Sequence, residues 1–317
     1  MPIVFIGTPE FAVPSLRALV SAGYEVSAVY TQPDRPAGRG RRETAPAVKI
    51  AAQKLGLQVE QPESLRDPGV IAGMRAFAPE VMVGVAYGQL IRPDVLAIPP
   101  KGILNVHPSL LPRWRGASPV AAAILAGDED TGVTIMRMDE GLDSGPVIAQ
   151  KRRDISPGDT TGTLTQALAE DGAALLVDVL PAWLAGETEA EPQDESRATV
   201  CRQIKKSDGI IDWTSPADEI GRRVRAYNPW PGAQTSLDGE KLLIWEARPV
   251  AGSSGDAPGT VVGLPEKAPA EAGGAAFGVE TGDGLLAVIS AQRSGRRAMG
   301  SDEFLRGMPG LVGRRLG

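Results

Sequence analysis

The chain has one cysteine and one histidine in 317 residues. A lone cysteine, Cys201, excludes an internal disulfide, and such sparse usage fits a reducing cytoplasm. One histidine and one cysteine cannot build a zinc site of the usual ligand types, so no metal is expected. No stretch approaches the ~18 consecutive apolar residues of a membrane span, so no membrane partner is expected either. The opening MPIVFIGTPEF has no basic segment ahead of a long apolar core. It reads as a first strand and not as a signal peptide. Positive charge is also in deficit, with 33 Lys and Arg against 39 Asp and Glu, a net −6. Nucleic-acid binding by the whole surface is therefore disfavoured, while a local basic patch is left open. What is present in ordinary amount is apolar material: 42% hydrophobic residues in a chain long enough for two domains or one large one.

Over the first 150 residues, short apolar runs alternate with helical patterns. Strands are expected at 3–7, 26–30, 81–86, 102–107, 132–138 and 145–155, and helices at 13–22, 45–55 and 160–185. The continuous run VMVGVA at 81–86 suits a central parallel strand covered on both faces. This alternation implies a Rossmann-like α/β domain with a mostly parallel sheet, whose ligands bind beyond the strand C-termini. VFIGTPEFA has a single glycine where a dinucleotide fingerprint needs three, which counts against a nicotinamide site. The polar stretch 186–209 reads as an exposed connection. A short helix at 216–227 and five short strand candidates follow, at the spacing of a small β-barrel. The expected organisation is an N-terminal domain over 1–188, a linker over 189–207 and a C-terminal domain over 208–317. The Pro/Ala/Gly-rich 264–275 reads as a mobile loop.

The only histidine sits in LNVHPSLLPRWRG, residues 104–116. On a strand, Asn105 and His107 share a face and Val106 takes the other. Pro108 stops the ladder there, so two polar side chains lie at the ligand-binding end of an apolar strand, a burial cost with no evident structural return. Downstream, MDEGLDSGP at 138–146 holds Asp139, Glu140 and Asp143. It reads either as a solvated acidic turn or as the source of a carboxylate that orients the imidazole.

A second segment is unusual. TQPDRPAGRGRRETAP, residues 31–46, is about twice the ~2–6 residues of a normal strand-to-helix connection. It carries Arg35, Arg39, Arg41 and Arg42, and its prolines and glycines predict neither helix nor strand. A solvated loop is one reading. Arginine density in an acidic chain favours the other, a contact with a polyanion that orders residues 34–43.

NVHPSLLPRWRG followed by MDEGLDSG resembles the formyltransferases that use 10-formyltetrahydrofolate. TQPDRPAGRGRR and NPWPGA extend the likeness, which runs from VFIGTPEFA to GDGLLAVISAQRSGRRAM. Pro108 and Ser144 depart from the commonest pattern, where a smaller residue and a threonine stand. The resemblance implies formyl transfer to the α-amino group of methionine esterified to initiator tRNA, by a metal-free route. Asn105, His107 and Asp143 match its catalytic set: Asn105 as oxyanion donor, His107 as proton carrier, Asp143 as its orienting carboxylate. It implies that Ser109, Leu110, Leu111 and Pro112 line the folate site. Backbone groups of the 139–143 loop, including Asp139 and Glu140, would meet the pterin. Ala86, Tyr87 and Gly88 in VAYGQLI either face the pterin or simply end a buried strand. Arg39 matches the key arginine of a loop that reaches the tRNA acceptor end, flanked by Arg35, Arg41 and Arg42. An OB-like C-terminal domain would hold the acceptor arm, with Arg296 and Arg297 of QRSGRR and the GRR at 313–315 meeting phosphate. A cytoplasmic monomer is expected. Alternatives are a formyltransferase acting on a small molecule such as a purine ribonucleotide or amino sugar, a formyl-folate hydrolase, and a noncatalytic folate- or RNA-binding protein. The complete Asn–His–Asp set counts against the last.

Overall fold

The apolar run Ile3–Ile6 becomes the middle of a sheet because it is covered on both faces; all four residues are fully buried. The structure is a computed structural model that describes residues 1–37, 42–264 and 272–317. In chain order the first elements are β1 (Pro2–Gly7), α1 (Val13–Ser21), β2 (Glu25–Tyr30), β3 (Arg35–Ala37), β4 (Arg42–Thr44), α2 (Ala47–Lys54) and β5 (Val59–Glu60). Then come α3 (Pro68–Ala76), β6 (Val81–Val85), α4 (Pro93–Leu96), β7 (Ile103–His107), β8 (Arg115–Gly116), α5 (Pro119–Ala126), β9 (Asp130–Arg137), β10 (Val147–Asp154) and α6 (Thr161–Ala185).

The main sheet has seven strands in the order β10-β9-β7-β6-β1-β2-β5. The pairs from β5 to β7 are parallel, and β9 and β10 add an antiparallel edge. The mostly parallel sheet expected from the alternation is what forms. Three helices have no counterpart among those expectations. Helix α5 is PVAAAILA, apolar all round, so it carries no stripe for a period to reveal. Helix α4 is a single turn. Helix α3 is marked instead by its start: the Asp67 carboxylate accepts from Gly69 N at 2.7 Å, and Pro68 occupies the first turn.

One close approach sets how α6 lies on the sheet. A Cβ at Gly172 would stand 2.5 Å from Val106 Cγ1 and 3.0 Å from Val133 Cγ2. Val106 is thereby sealed on the helix side of β7, which leaves Asn105 and His107 to the other face. Gly172→Ala is expected to destabilise the protein by ~1–3 kcal/mol through overpacking. Urea denaturation measures this, and an unchanged midpoint would mean that the helix lifts away at no cost.

The stretch 186–209, expected as an exposed connection, is largely exposed and carries ordered elements of its own. It contains β11 (Val200–Cys201), which pairs in parallel with β8, and residues through Arg202 group with the first compact unit. Its order comes from hydrogen bonds to distant backbone, which leave no periodic trace. The arginine segment is not free of secondary structure at its ends either, since β3 and β4 pair antiparallel with Arg35 opposite Thr44. At its root the Asp34 carboxylate accepts from Lys49 Nζ at 2.6 Å and from Gln61 Nε2 at 2.7 Å. These bonds hold its pKa below the usual carboxylate range. Arg39 and Arg41 lie outside the described residues.

The second unit gathers residues 120–129, 155–164 and 203–317. Its later elements are α7 (Ala217–Ala226), β12 (Ala233–Leu237), β13 (Glu240–Val250), β14 (Val261–Gly263), β15 (Phe277–Glu280), β16 (Leu285–Arg293), β17 (Met299–Gly300) and α8 (Ser301–Arg306). The sheet runs β12-β13-β16-β15-β14 with β17 on β16, every pair antiparallel, the OB-like arrangement expected. Ile220 and Val224, four apart on α7, share a core with Trp213, Ile244, Phe277 and Phe304. Of the stretch expected to be a mobile loop, 265–271 lie outside the described residues.

Candidate active site

Strand β7 does what its spacing predicts: Asn105 and His107 both turn to Asp143. Asn105 Nδ2 donates to Asp143 Oδ1 at 3.5 Å, and His107 Nδ1 lies 3.7 Å from Asp143 Oδ2. The side chains of His107 and Asp143 are 5% and 16% exposed, so the pair is largely withdrawn from water and weakly screened. The site lies at the C-terminal end of a parallel strand, where such sheets place their ligands.

Asp143 is held at both ends. Its Oδ2 accepts from Gly116 N at 2.9 Å, and its own carbonyl accepts from Gln193 Nε2 at 2.8 Å. Its φ of 50° is in the left-handed region, which costs roughly 1–2 kcal/mol for a residue with a Cβ but is better tolerated by aspartate. Gly116 has φ 109°, and a Cβ there would collide with the Cys201 carbonyl on β11. Only glycine lets that N–H reach the carboxylate while β8 pairs with β11.

The tautomer of His107 is set by a group that sequence reasoning missed. His107 Nε2 lies 3.0 Å from the Trp114 carbonyl, which can only accept, so Nε2 carries the proton of the neutral ring. Nδ1 then faces Asp143 as a proton acceptor. The Asp143 carboxylate stands beside Nδ1, and the backbone carbonyl chooses the tautomer. Trp114 adopts φ 60°, its N–H donates to Thr199 Oγ1 at 2.8 Å, and the Arg115 N–H of the same peptide unit as the carbonyl donates to Thr199 O at 2.9 Å, which fixes the carbonyl's direction. No sequence pattern announces a backbone oxygen in a left-handed turn.

The remaining predicted residues fall into two groups. Ser109 and Leu111 are buried and serve the loop itself. The Ser109 hydroxyl donates to Arg113 O at 2.6 Å, and Leu111 N donates to Thr134 Oγ1 at 3.1 Å. Gln150 Nε2 donates to Leu111 O at 2.8 Å, so β9 and β10 both brace the loop. Leu110 and Pro112 are half-buried. At the end of β6, Ala86 and Gly88 are exposed with φ 47° and 87°, while Tyr87 between them is buried and its phenol is pushed up to about 12. The Tyr87 carbonyl accepts from Thr8 Oγ1 at 2.9 Å. Asp139 and Glu140 are exposed; the Asp139 carboxylate accepts from Gly141 N and the Ser144 hydroxyl, both at 3.0 Å. In the second unit Arg296 and Arg297 are exposed, and Arg297 pairs with Glu303. Among the described residues no group of three or more His, Cys, Asp or Glu is placed to hold a metal. No helix among them is long and apolar enough to cross a membrane.

Cys201 sits behind this loop. Ser118 N donates to its sulfur at 3.3 Å, and its thiol donates to Arg115 O at 3.3 Å. Burial pushes the thiol above its ordinary range, against the Ser118 N–H, which pulls it down. Since the thiolate is the reactive form, iodoacetamide labelling of the folded protein is expected to begin only above the ordinary thiol range of ~8.5. Unfolding should bring it down to that range. Labelling at neutral pH at the rate of a free thiol would show the site to be open.

Residues 1–180 match the formyl transferase family, and residues 203–309 match its C-terminal domain. The chain belongs to the formyl transferase family. Curated relatives agree along the whole length. The methionyl-tRNA formyltransferase of Chloroflexus aggregans is 51% identical over 311 residues, 97% of each chain. That of Methylococcus capsulatus is 44% identical over 317 residues, the whole of both chains. Among solved structures, an N-formyltransferase from Helicobacter canadensis, in complex with folinic acid and dTDP-3-aminofucose, has a TM-score of 0.66 at 17% identity. It matches 92% of this formyl transferase and 98% of its own chain. HypX from Aquifex aeolicus in complex with tetrahydrofolic acid has a TM-score of 0.64 at 19% identity. The match takes in 98% of this chain but 48% of HypX. At such identities the two structures share the fold with this formyl transferase and nothing finer.

Proposed function

We propose that this formyl transferase moves the formyl group of 10-formyltetrahydrofolate to the α-amino group of methionyl-initiator tRNA. The product is N-formylmethionyl-tRNA, which starts translation. The observation that carries the reading is the convergence of Asn105 and His107 on Asp143 in a chain 44–51% identical, over nearly its full length, to named methionyl-tRNA formyltransferases.

The chain fits a flat, hydrogen-bonding pterin at the end of β6. Exposed Ala86 and Gly88 have little or no side chain to cover their backbone, and buried Tyr87 backs them. Leu110 and Pro112 supply apolar wall, Ser109 and Leu111 hold that wall in place, and backbone of the loop containing Asp139 and Glu140 faces the ring. When bound, the folate supplies an activated formyl group beside the amine. Asn105 turns one amide N–H to Asp143 and presents the other to the oxygen that gains negative charge; one such donor is typically worth ~10²–10³ in rate. His107 Nδ1 takes the proton that the attacking amine must lose and hands it to the folate nitrogen as its bond to the formyl carbon breaks, so tetrahydrofolate leaves as a neutral amine; Asp143 stabilises the imidazolium in between while Trp114 O keeps the ring in place. General acid–base help of this kind is worth ~10²–10⁴. All three groups come from one chain, so a monomer suffices. Arg35, Arg39, Arg41 and Arg42 meet the acceptor end of the tRNA, and Arg296 and Arg297 meet its phosphates. The working division is 1–188 catalytic, 189–207 connecting and 208–317 tRNA-binding, and the protein acts in the cytoplasm.

The test is incubation with 10-formyltetrahydrofolate and methionyl-tRNA, followed by separation of formylmethionyl-tRNA. Free methionine and a dTDP-amino sugar are the control acceptors. Formylation of a control in place of the tRNA would overturn the substrate assignment, and formate release without an acceptor would indicate a hydrolase.

A further inference from the structure

The segment after α6 reaches back over the site through one amide side chain. Gln193 Nε2 donates to the Asp143 carbonyl at 2.8 Å and to the Gly145 carbonyl at 2.7 Å. Its Oε1 accepts from Arg115 Nε at 3.0 Å and from Arg115 Nη2 at 2.9 Å. Both N–H donors and the acceptor oxygen are therefore committed, and to two different loops. Arg115 is itself buried and fixed by Glu195, with Nη2 to Oε1 at 2.7 Å and Nη1 to Oε2 at 3.0 Å. The Glu195 carboxylate keeps the guanidinium above its ordinary range, so the charge persists at every working pH. The same Arg115 precedes Gly116, whose N–H holds the Asp143 carboxylate. One side chain thus ties the carbonyl end of Asp143 to the loop that grips its carboxylate end.

We propose that Gln193 is a positioning residue for formyl transfer: it clamps Asp143 in its left-handed conformation and so aims the carboxylate at His107 and Asn105. It acts through Asp143 and touches none of the reacting atoms. The inference rests on the catalytic reading of Asp143. The left-handed φ gives the clamp its purpose. A residue in that region relaxes to ordinary backbone unless its neighbours over-determine it. Relaxation would swing the Asp143 side chain away from two groups that already sit 3.5 and 3.7 Å from it. Gln193 lies 50 residues from Asp143 in sequence, in a stretch whose composition suggests only a connection.

His107 is the only histidine, so the carbon-bound protons of its imidazole give isolated NMR signals that report its surroundings independently of turnover. Gln193→Glu keeps an acceptor for Arg115 and removes both donors to the carbonyls. Gln193→Met keeps the length and removes every hydrogen bond, and it decides the matter if the carboxylate variant does not fold. Each is compared with Asp143→Asn and with the double variant. Both Gln193 variants are expected to lower kcat by ~10–100-fold, the scale of an ångström-sized misplacement, with KM for folate and tRNA changed less than about twofold. The His107 signals should move in the same sense as in Asp143→Asn. In the Asp143→Asn background the Gln193 changes should add less than about twofold, because the two act as one unit. Wild-type kcat, unmoved His107 signals, or a full further loss in the double variant would each overturn the proposal. If the wild-type protein formylates no tRNA, the substrate assignment fails while the NMR comparison still decides whether Gln193 aims Asp143.

Discussion

Asp143→Asn is expected to lower kcat by ~10²–10⁴ while leaving KM for the folate nearly unchanged, because it removes the carboxylate that supports general acid–base transfer at His107. His107→Ala should fall in the same range, since no other imidazole exists to replace it. Asn105→Ala should cost ~10²–10³, the value of one aligned donor to a developing negative charge. The three losses should not add. Asn105 and His107 both converge on one carboxylate, so once Asp143 is gone the placement of its partners is already compromised. Steady-state kinetics of the single, double and triple variants read this directly. Near wild-type turnover by His107→Ala would remove the proton carrier from the mechanism. Fully additive losses would mean that the three groups work independently.

The second large effect concerns tRNA. Arg39→Ala is expected to reduce kcat/KM for methionyl-tRNA by ~10–100-fold, the loss of one charge-assisted hydrogen bond at ~1.5–3 kcal/mol. Folate affinity, measured separately by fluorescence quenching, should stay unchanged. Arginine suits an acceptor end because its planar fork binds phosphate and stacks on unpaired bases. The local charge favours this reading. Asp34, the acid that precedes the arginines, is tied to Lys49 and Gln61, so its negative charge is already engaged. Substituting Arg41 or Arg42 should chiefly flatten the salt dependence, by ~0.7–0.9 in the logarithmic slope for each phosphate that the arginine no longer neutralises. Equal tRNA kinetics for Arg39→Ala and the wild type at fixed salt would leave the segment as a solvated insertion.

Much of the N-terminal sheet was legible because central strands such as β1 and β6 are short, unbroken apolar runs. The 81–86 run corresponds to β6 and 102–107 to β7, each within a residue. Of the three helices that escaped, α4 and α5 are too short or too uniformly apolar to carry a period, and α3 is marked by its start instead. The C-terminal strands were legible for a different reason: turn residues punctuate them, and the five short candidates correspond to β12, β13, β14, β15 and β16. The site was legible in part. Asn105 and His107 lie two apart on one strand, and that alone places them together. Asp143 could be named only as a candidate, because composition does not separate an acidic turn from an orienting carboxylate. Nothing in the sequence singles out Arg115, and in the structure it is buried and doubly paired.

The sequence by itself determined the alternation that makes a mostly parallel sheet, the shared face of Asn105 and His107, and the absence of ligands for a conventional zinc site. These follow from period, spacing and residue type, which are local properties. Only the tertiary structure decided the rest. Residues 38 positions apart put Asp143 beside Asn105. The Trp114 carbonyl chose the His107 tautomer, Gly116 offered an N–H where no Cβ fits, and Gln193 closed the arrangement from the connecting segment. Each of these depends on a backbone group or an amide meeting a partner far along the chain. Such a meeting leaves no period or composition to read, and only the folded chain supplies it.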